Sequence, residues 1–174
     1  MQAYCDSVQN NGAMWKAGMG RLAFLFYLSK YYEFMDTVIL IVKRKKVSLL
    51  QTYHHAGAVL TMFGLVYTQA SSALWFVCLN SMIHTLMYTY YLFSACGVRL
   101  PGKSLITTVQ IVQFFVGILG TFPMFVLRGE CQTDMQLLAL GAVHAYVLPL
   151  IGLFANFYIQ SYSKKPTGKE KKKN

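Results

Sequence analysis

Five stretches of this 174-residue chain, roughly Leu22–Val42, Val47–Thr68, Ala73–Ala95, Ser104–Leu127 and Met135–Ile159, stay apolar over long distances. Each approaches or exceeds the ~20 largely apolar residues that a bilayer-spanning helix requires. Runs of this length do not carry the periodicity of a soluble core, so the reading is an all-α polytopic membrane bundle of five spans. Composition agrees: 55% of residues are hydrophobic and 13% charged, against about 25% charged in soluble domains. A cytosolic enzyme, a disordered tail and a nucleic-acid-binding module are excluded, although the net charge is +10. Ten of the sixteen basic residues fall in two clusters, Lys43, Arg44, Lys45 and Lys46, and the tail from Lys164 to Lys173.

Short polar segments separate the runs, and their basic residues set the orientation. Lys43–Lys46, then Arg99 and Lys103, then the Lys-rich tail all fall on one side, which is expected to be cytosolic. The chain divides into an N-terminal lumenal segment (1–20) without a cleavage-site pattern, a membrane domain (21–160) and a cytosolic tail (161–174). The tail ends KKKN, with Lys171 and Lys172 spaced like the dilysine retrieval signal of endoplasmic reticulum membrane proteins. Cys5 and Cys131 both fall on the lumenal, oxidising side. A disulfide between them is expected, contributing about 4 to 5 kcal/mol by chain-entropy arguments and holding the lumenal end of the bundle shut.

Polar side chains inside the spans mark the candidate site, since an ionisable group at mid-bilayer costs about 2.5 to 3.5 kcal/mol on insertion scales. In KYYEFMDT, Lys30 and Glu33 stand i,i+3 and can pair, with Asp36 and Thr37 rotated round the same side. The alternative is a purely structural ion pair. In LLQTYHH, helical spacing puts Gln51, His54 and His55 on one face, and imidazoles supply a nucleophile, a base or a metal ligand near neutral pH. In NSMIHTLMYTYY, Asn80, His84, Met87, Tyr88 and Tyr91 form one stripe. In TTVQIVQF, Thr107, Gln110 and Phe114 share a face with Gln113 beside it. His144 stands alone in the fifth run and reads as structural.

Three chemistries compete for these residues. His54, His55 and His84 are enough for a three-ligand zinc site of a membrane lipid hydrolase, with Glu33 or Asp36 as the supporting carboxylate; four histidines in the whole chain are too few for a diiron cage. A transporter also buries polar groups, but the paired Gly or Pro interruptions are missing. Acyl transfer uses a nucleophile, a base, hydrogen-bond donors and an apolar tunnel, and every polar residue above has a role in it.

The four blocks, in this order and spacing, closely resemble the very-long-chain fatty acid elongases, membrane-bound 3-ketoacyl-CoA synthases with the patterns KxxExxDT, HxxHH, HxxMYxYY and TxxQxxQF. Gln51 replaces the first histidine of HxxHH. That is similar to the LQxxHHxGA variant of elongases acting on polyunsaturated chains. The family has seven spans around an acyl tunnel, so five here imply an N-terminal shortfall. The resemblance implies condensation of a polyunsaturated long-chain acyl-CoA with malonyl-CoA, releasing CO2 and CoA, with no metal and no other cofactor.

Carried over by position, His54 takes the acyl group as an acyl-imidazole, and His55 and His84 move protons and hold the malonyl unit. Asn80, Gln110 and Gln113 donate hydrogen bonds to the thioester and enolate, while Lys30, Glu33, Asp36, Gln51, Met87, Tyr88, Tyr91 and Thr107 complete the substrate site. Lys43, Arg44, Lys45, Lys46, Arg99 and Lys103 either receive the CoA phosphates or serve only as interfacial anchors. Expected partners are the two CoA substrates, membrane lipid, and the reductases and dehydratase of the elongation cycle, with a homodimer as one option and no nucleic acid. The resemblance and the tail place the protein in the endoplasmic reticulum membrane, C-terminus cytosolic.

Overall fold

A computed structural model describes residues 12–98, 100–127 and 132–163. Within them the chain is helical, in seven helices: α1 (Gly20–Tyr32), α2 (Phe34–Val42), α3 (Leu49–Tyr67), α4 (Ala73–Ala95), α5 (Lys103–Thr121), α6 (Pro123–Val126) and α7 (Asp134–Tyr158). Wider helical turns precede α1 (Trp15–Met19) and follow α7 (Ile159–Ser163). The expected runs therefore become helices, with two corrections. The fourth run, Ser104–Leu127, divides at Phe122 into α5 and α6. The first is not a single rod either: it divides at Glu33, whose carbonyl accepts from the Asp36 N–H three residues on, at 3.2 Å. That tighter turn separates α1 from α2.

Local chemistry sets the other ends. Ser48 caps α3, its hydroxyl accepting from the Gln51 N–H. Thr133 and Gln136 form a reciprocal capping box at α7, satisfying two of the amide donors that a helix start leaves unpaired. Pro123 opens α6 at its first position, where the missing N–H removes nothing.

Helix neighbours run α1 to α3, α3 to α7, α7 to α5, α5 to α4 and α4 back to α1, which closes a ring. Glycine permits two of these contacts. A Cβ on Gly57 of α3 would collide with the edge of the Tyr146 ring of α7, and one on Gly120 of α5 would lie 2.6 Å from the Trp75 ring of α4. Ala23, Met62, Leu65, Ala70, Ala73, Val143 and Val147 form the dry core between α1, α3, α7 and the turn into α4. Leu22, Leu60, Leu119, Leu138 and Leu148 point outward and are mostly exposed, as apolar surroundings require.

Length and mean hydropathy alone qualify two helical segments as membrane-crossing among the described residues, Lys103–Val126 and Asp134–Tyr162. The helices that miss this mark carry three of the four polar blocks: α1 and α2 are short because of the break at Glu33, and Gln51, His54, His55, Asn80 and His84 lower the apolarity of α3 and α4, whereas α5 qualifies in spite of Gln110 and Gln113. One end of the ring is tied by polar contacts. The Gln136 amide donates to the carbonyls of Thr68 (3.0 Å) and Gln69 (3.3 Å), and that of Gln132 to the Ser71 hydroxyl (2.7 Å). The Cys5–Cys131 bridge expected to close this end lies outside the described residues, as do Arg99 and the tail from 164 onward.

Candidate active site

Within the ring, α1, α3 and α4 each contribute a polar turn at the same level. Glu33 is the hub. Its Oε1 is 2.6 Å from the Lys30 ammonium and 3.2 Å from Nδ1 of His84, and its Oε2 is 3.9 Å from Nδ1 of His55. Lys30, buried below the Phe26 ring at 4.2 Å, also donates to Oδ1 of Asn80 at 2.6 Å. One carboxylate therefore faces an ammonium and two imidazoles. The His84 contact does not make a hydrogen bond and the His55 contact is too long for one, so Nδ1 of His84, Nδ1 of His55 and Oε2 of Glu33 are all buried without a hydrogen-bond partner.

His54 stands beside this group. Its ring centroid is 5.5 Å from that of His55 and 6.3 Å from that of His84, and the Phe154 ring of α7 meets it edge-on at 6.2 Å. Its Nδ1 lies 3.0 Å from the Tyr146 hydroxyl, which in turn donates to the His54 carbonyl at 2.8 Å. His54 also separates two cavities. The larger, about 480 Å³, is lined by His54, His55 and His84 with Asp36, Gln51, Met87, Tyr88, Tyr91, Lys103, Thr107 and Gln110. The smaller, about 70 Å³, runs into the apolar interior between Met62, Leu65, Phe76, Leu79 and Val147, with Lys30, Asn80 and Gln113 on its wall.

The structure thus brings together most of the residues that the sequence singles out, with adjustments. Asp36 does not join Lys30 and Glu33; its carboxylate accepts from the Tyr88 hydroxyl at 2.8 Å across the α2–α4 gap. Glu33 lies behind the histidines and lines neither cavity. Gln51 donates to the Thr37 hydroxyl at 3.0 Å, and Gln110 to the Met87 sulfur at 3.4 Å. Gln113 keeps a buried, unpaired Oε1. Of the described basic residues, Lys103 lines the larger cavity, whereas Lys43, Arg44, Lys45 and Lys46 are exposed and do not. His144 has structural partners, its Nδ1 at 2.9 Å from the Leu140 carbonyl and Nε2 at 3.3 Å from the Thr121 hydroxyl.

A metal would find a ligand set different from the expected three histidines. Glu33, His54 and His84 each present one donor atom, all within 4.8 Å of one another, and His55 is outside the group. The Lys30 ammonium already pairs with Oε1 of this carboxylate, so a cation there would share Glu33 with a buried positive charge.

Residues 1–171 match the family described as ELO: GNS1/SUR4. The chain belongs to the ELO family. It is 37% identical over 159 residues to fatty acid elongase sre1 of Dictyostelium discoideum, covering 87% of this chain and 58% of that protein. It is 38% identical over 144 residues to fatty acid elongase 3 of Trypanosoma cruzi strain CL Brener (79% of this chain, 47% of the relative). With very long chain fatty acid elongase 2 of Mus musculus it shares 33% over 165 residues (87% and 53%). The chain spans about half the length of the curated relatives it matches. No solved structure matches it.

Several neighbours of the site in this ELO chain escape sequence reasoning. Tyr146, Phe154 and Tyr162 come from the region around α7, where aromatic residues among leucines read as packing. Yet the Tyr146 hydroxyl sits in a dry interior and needs a partner, which is the signal that its position in VHAYVLPL offers. Gly57, next but one to His55, has its reason in the same tyrosine.

Proposed function

We propose that the chain carries the condensing site of a fatty acid elongase, joining a long-chain acyl-CoA to malonyl-CoA. The supporting observation is the position of His54, an imidazole flanked by two others and set between a polar cavity and a narrow apolar one. In the first half-reaction His54 Nε2 attacks the thioester carbonyl, the C–S bond breaks, and the acyl group stays on the imidazole while CoA leaves as the thiol. In the second, malonyl-CoA loses CO2, and the enolate carbon so formed attacks the acyl carbonyl. The C–N bond breaks, giving a 3-ketoacyl-CoA two carbons longer and free His54. One proton is consumed overall, on the CoA thiolate, and His55 and His84 are the groups placed to carry it, with Glu33 stabilising either as imidazolium.

Asn80 and Gln113 face the apolar cavity, and Gln51, Thr107, Gln110, Tyr88 and Tyr91 the polar one. This division suits an acyl chain on one side and CoA on the other, with Lys103 for the CoA phosphates. The Gln51 variant of the histidine block favours polyunsaturated acyl chains. Residence in the endoplasmic reticulum membrane with a cytosolic C-terminus, seven spans in the full protein, and handover to the reductases and dehydratase of the cycle complete the proposal.

Intact-protein mass spectrometry after incubation with a polyunsaturated long-chain acyl-CoA alone tests it. An acyl adduct on the full protein is expected, lost in His54→Ala; an unchanged adduct in that variant overturns the assignment. The cluster of Glu33, His54 and His84 favours one other reading, a metal-dependent lipid hydrolase. Stoichiometric zinc in the purified protein, with activity lost to a chelator, would establish that reading instead. Release of CO2 from malonyl-CoA that depends on acyl-CoA separates condensation from both hydrolysis and transport.

A further inference from the structure

We infer that Tyr146 is a positioning residue that selects the tautomer of His54, and that Gly57 exists to seat it. The argument begins with proton counting. A tyrosine hydroxyl has one hydrogen to donate, and Tyr146 spends it on the His54 backbone carbonyl at 2.8 Å. Its oxygen is then an acceptor toward Nδ1 of the same histidine at 3.0 Å. Nδ1 must therefore carry the ring hydrogen, and Nε2 is left with the free lone pair. A neutral imidazole attacks a carbonyl only through its unprotonated nitrogen, so this contact decides which nitrogen is the nucleophile.

The tyrosine is held from three directions. Its ring occupies the place where a side chain on residue 57 would be, so glycine there is a condition of the contact. The Tyr53 ring stacks on it, centroids 5.4 Å apart and planes at 27°. The Tyr53 hydroxyl donates to the Tyr146 carbonyl at 3.2 Å, fixing the α7 backbone from which the phenol projects. Tyr146 and His54 are 92 residues apart in sequence, joined only by the α3–α7 packing.

When Nε2 acquires an acyl group the ring becomes cationic, and the Tyr146 oxygen, already accepting from Nδ1–H, stabilises that charge. Loss of the hydroxyl should slow acylation by about 10- to 100-fold, the usual cost of removing a partner that fixes a ring's tautomer and orientation, while KM for acyl-CoA stays unchanged. Tyr146→Phe keeps the ring and its stacking, so the fold is retained. Gly57→Ala displaces the whole ring and should lower the acylation rate at least as far.

The decisive readout is spectroscopic. In the full protein labelled with 15N-histidine, the His54 resonances, assigned by their loss in His54→Ala, should report Nδ1–H and a bare Nε2. In Tyr146→Phe they should move toward the other tautomer. Identical tautomers in the two proteins, or an unchanged acylation rate in Tyr146→Phe, would overturn the inference. The catalytic part rests on the acyl-enzyme reading above, and the two fail differently. Absence of any acyl adduct in the wild type would remove that reading, whereas the tautomer shift would still hold or fail by itself.

Discussion

Replacing Lys30 by methionine tests whether the Lys30–Glu33–Asn80 group is a cooperative unit. The ammonium is 3% exposed and has two oxygens at 2.6 Å, one from Glu33 and one from Asn80. Methionine fills the volume but leaves Glu33 as a buried charge without its counterion. Breaking a buried pair from one side costs about 3 to 5 kcal/mol, and the orphaned Asn80 oxygen adds about 1 to 3 kcal/mol. In Lys30→Met/Glu33→Gln the uncompensated charge is gone, and the cost should fall back toward the Asn80 contribution alone. Thermal unfolding of the purified protein in detergent, as a double-mutant cycle, reads this directly. The single lysine variant should be the least stable and the double variant partly recovered. A double variant that loses the sum of the two single losses would show that the ion pair contributes nothing beyond its separate side chains, and Glu33 would no longer be the hub of the group.

Gly120→Ala should destabilise by about 1 to 3 kcal/mol through overpacking against the Trp75 ring, whereas Gly141→Ala, with nothing within 4 Å of its new methyl, should leave the unfolding midpoint unchanged or slightly raised. Thr133→Ala removes the α7 capping box and should cost about 1 kcal/mol in the same assay. Lys103→Ala should raise KM for both CoA substrates without altering membrane insertion, and Lys45→Ala, exposed and away from the cavity, should not; steady-state kinetics of the two variants separate a phosphate contact from simple anchoring.

The extent to which the sequence discloses this structure varies with the kind of signal. Ala73–Ala95 is a helix with the ends expected from its apolar run, because turn-forming residues flank it on both sides. The run beginning at Val47 starts its helix two residues later, since Ser48 is its cap. The break at Glu33 was hidden. A strong apolar pattern and an i,i+3 pair are compatible with one rod, and the tighter turn shows only in the backbone. His54, His55, His84 and Gln110 were visible because a polar side chain in an apolar run is costly and so conspicuous. Tyr146 was not, because an aromatic ring belongs in such a run and its hydroxyl declares a role only when the α3–α7 contact brings His54 to it. Asp36 shared a motif with Glu33 but sits beyond the turn, and its partner Tyr88 lies on another helix.

The same pairing logic separates framework from site. Most of the buried polar groups in the ring have found each other: Lys30 with Glu33 and Asn80, Gln51 with Thr37, His54 with Tyr146, Gln136 with the end of α3. The described buried atoms left without partners are Glu33 Oε2, His55 Nδ1, His84 Nδ1, Gln113 Oε1 and, away at the turn before α4, Ser72 Oγ. Four of these five surround His54. A buried acceptor or donor without a partner costs about 1 to 3 kcal/mol, so their concentration at one level of the bundle is a standing instability that a polar ligand would relieve. A substrate carbonyl or carboxylate can accept from a His55 or His84 N–H, whereas the Glu33 and Gln113 oxygens are acceptors and need a donor, such as a proton in transit. On this argument His55, His84 and Gln113, which line the two cavities, meet substrate in the elongation reaction proposed for this chain, and Glu33 behind them receives charge from the imidazoles.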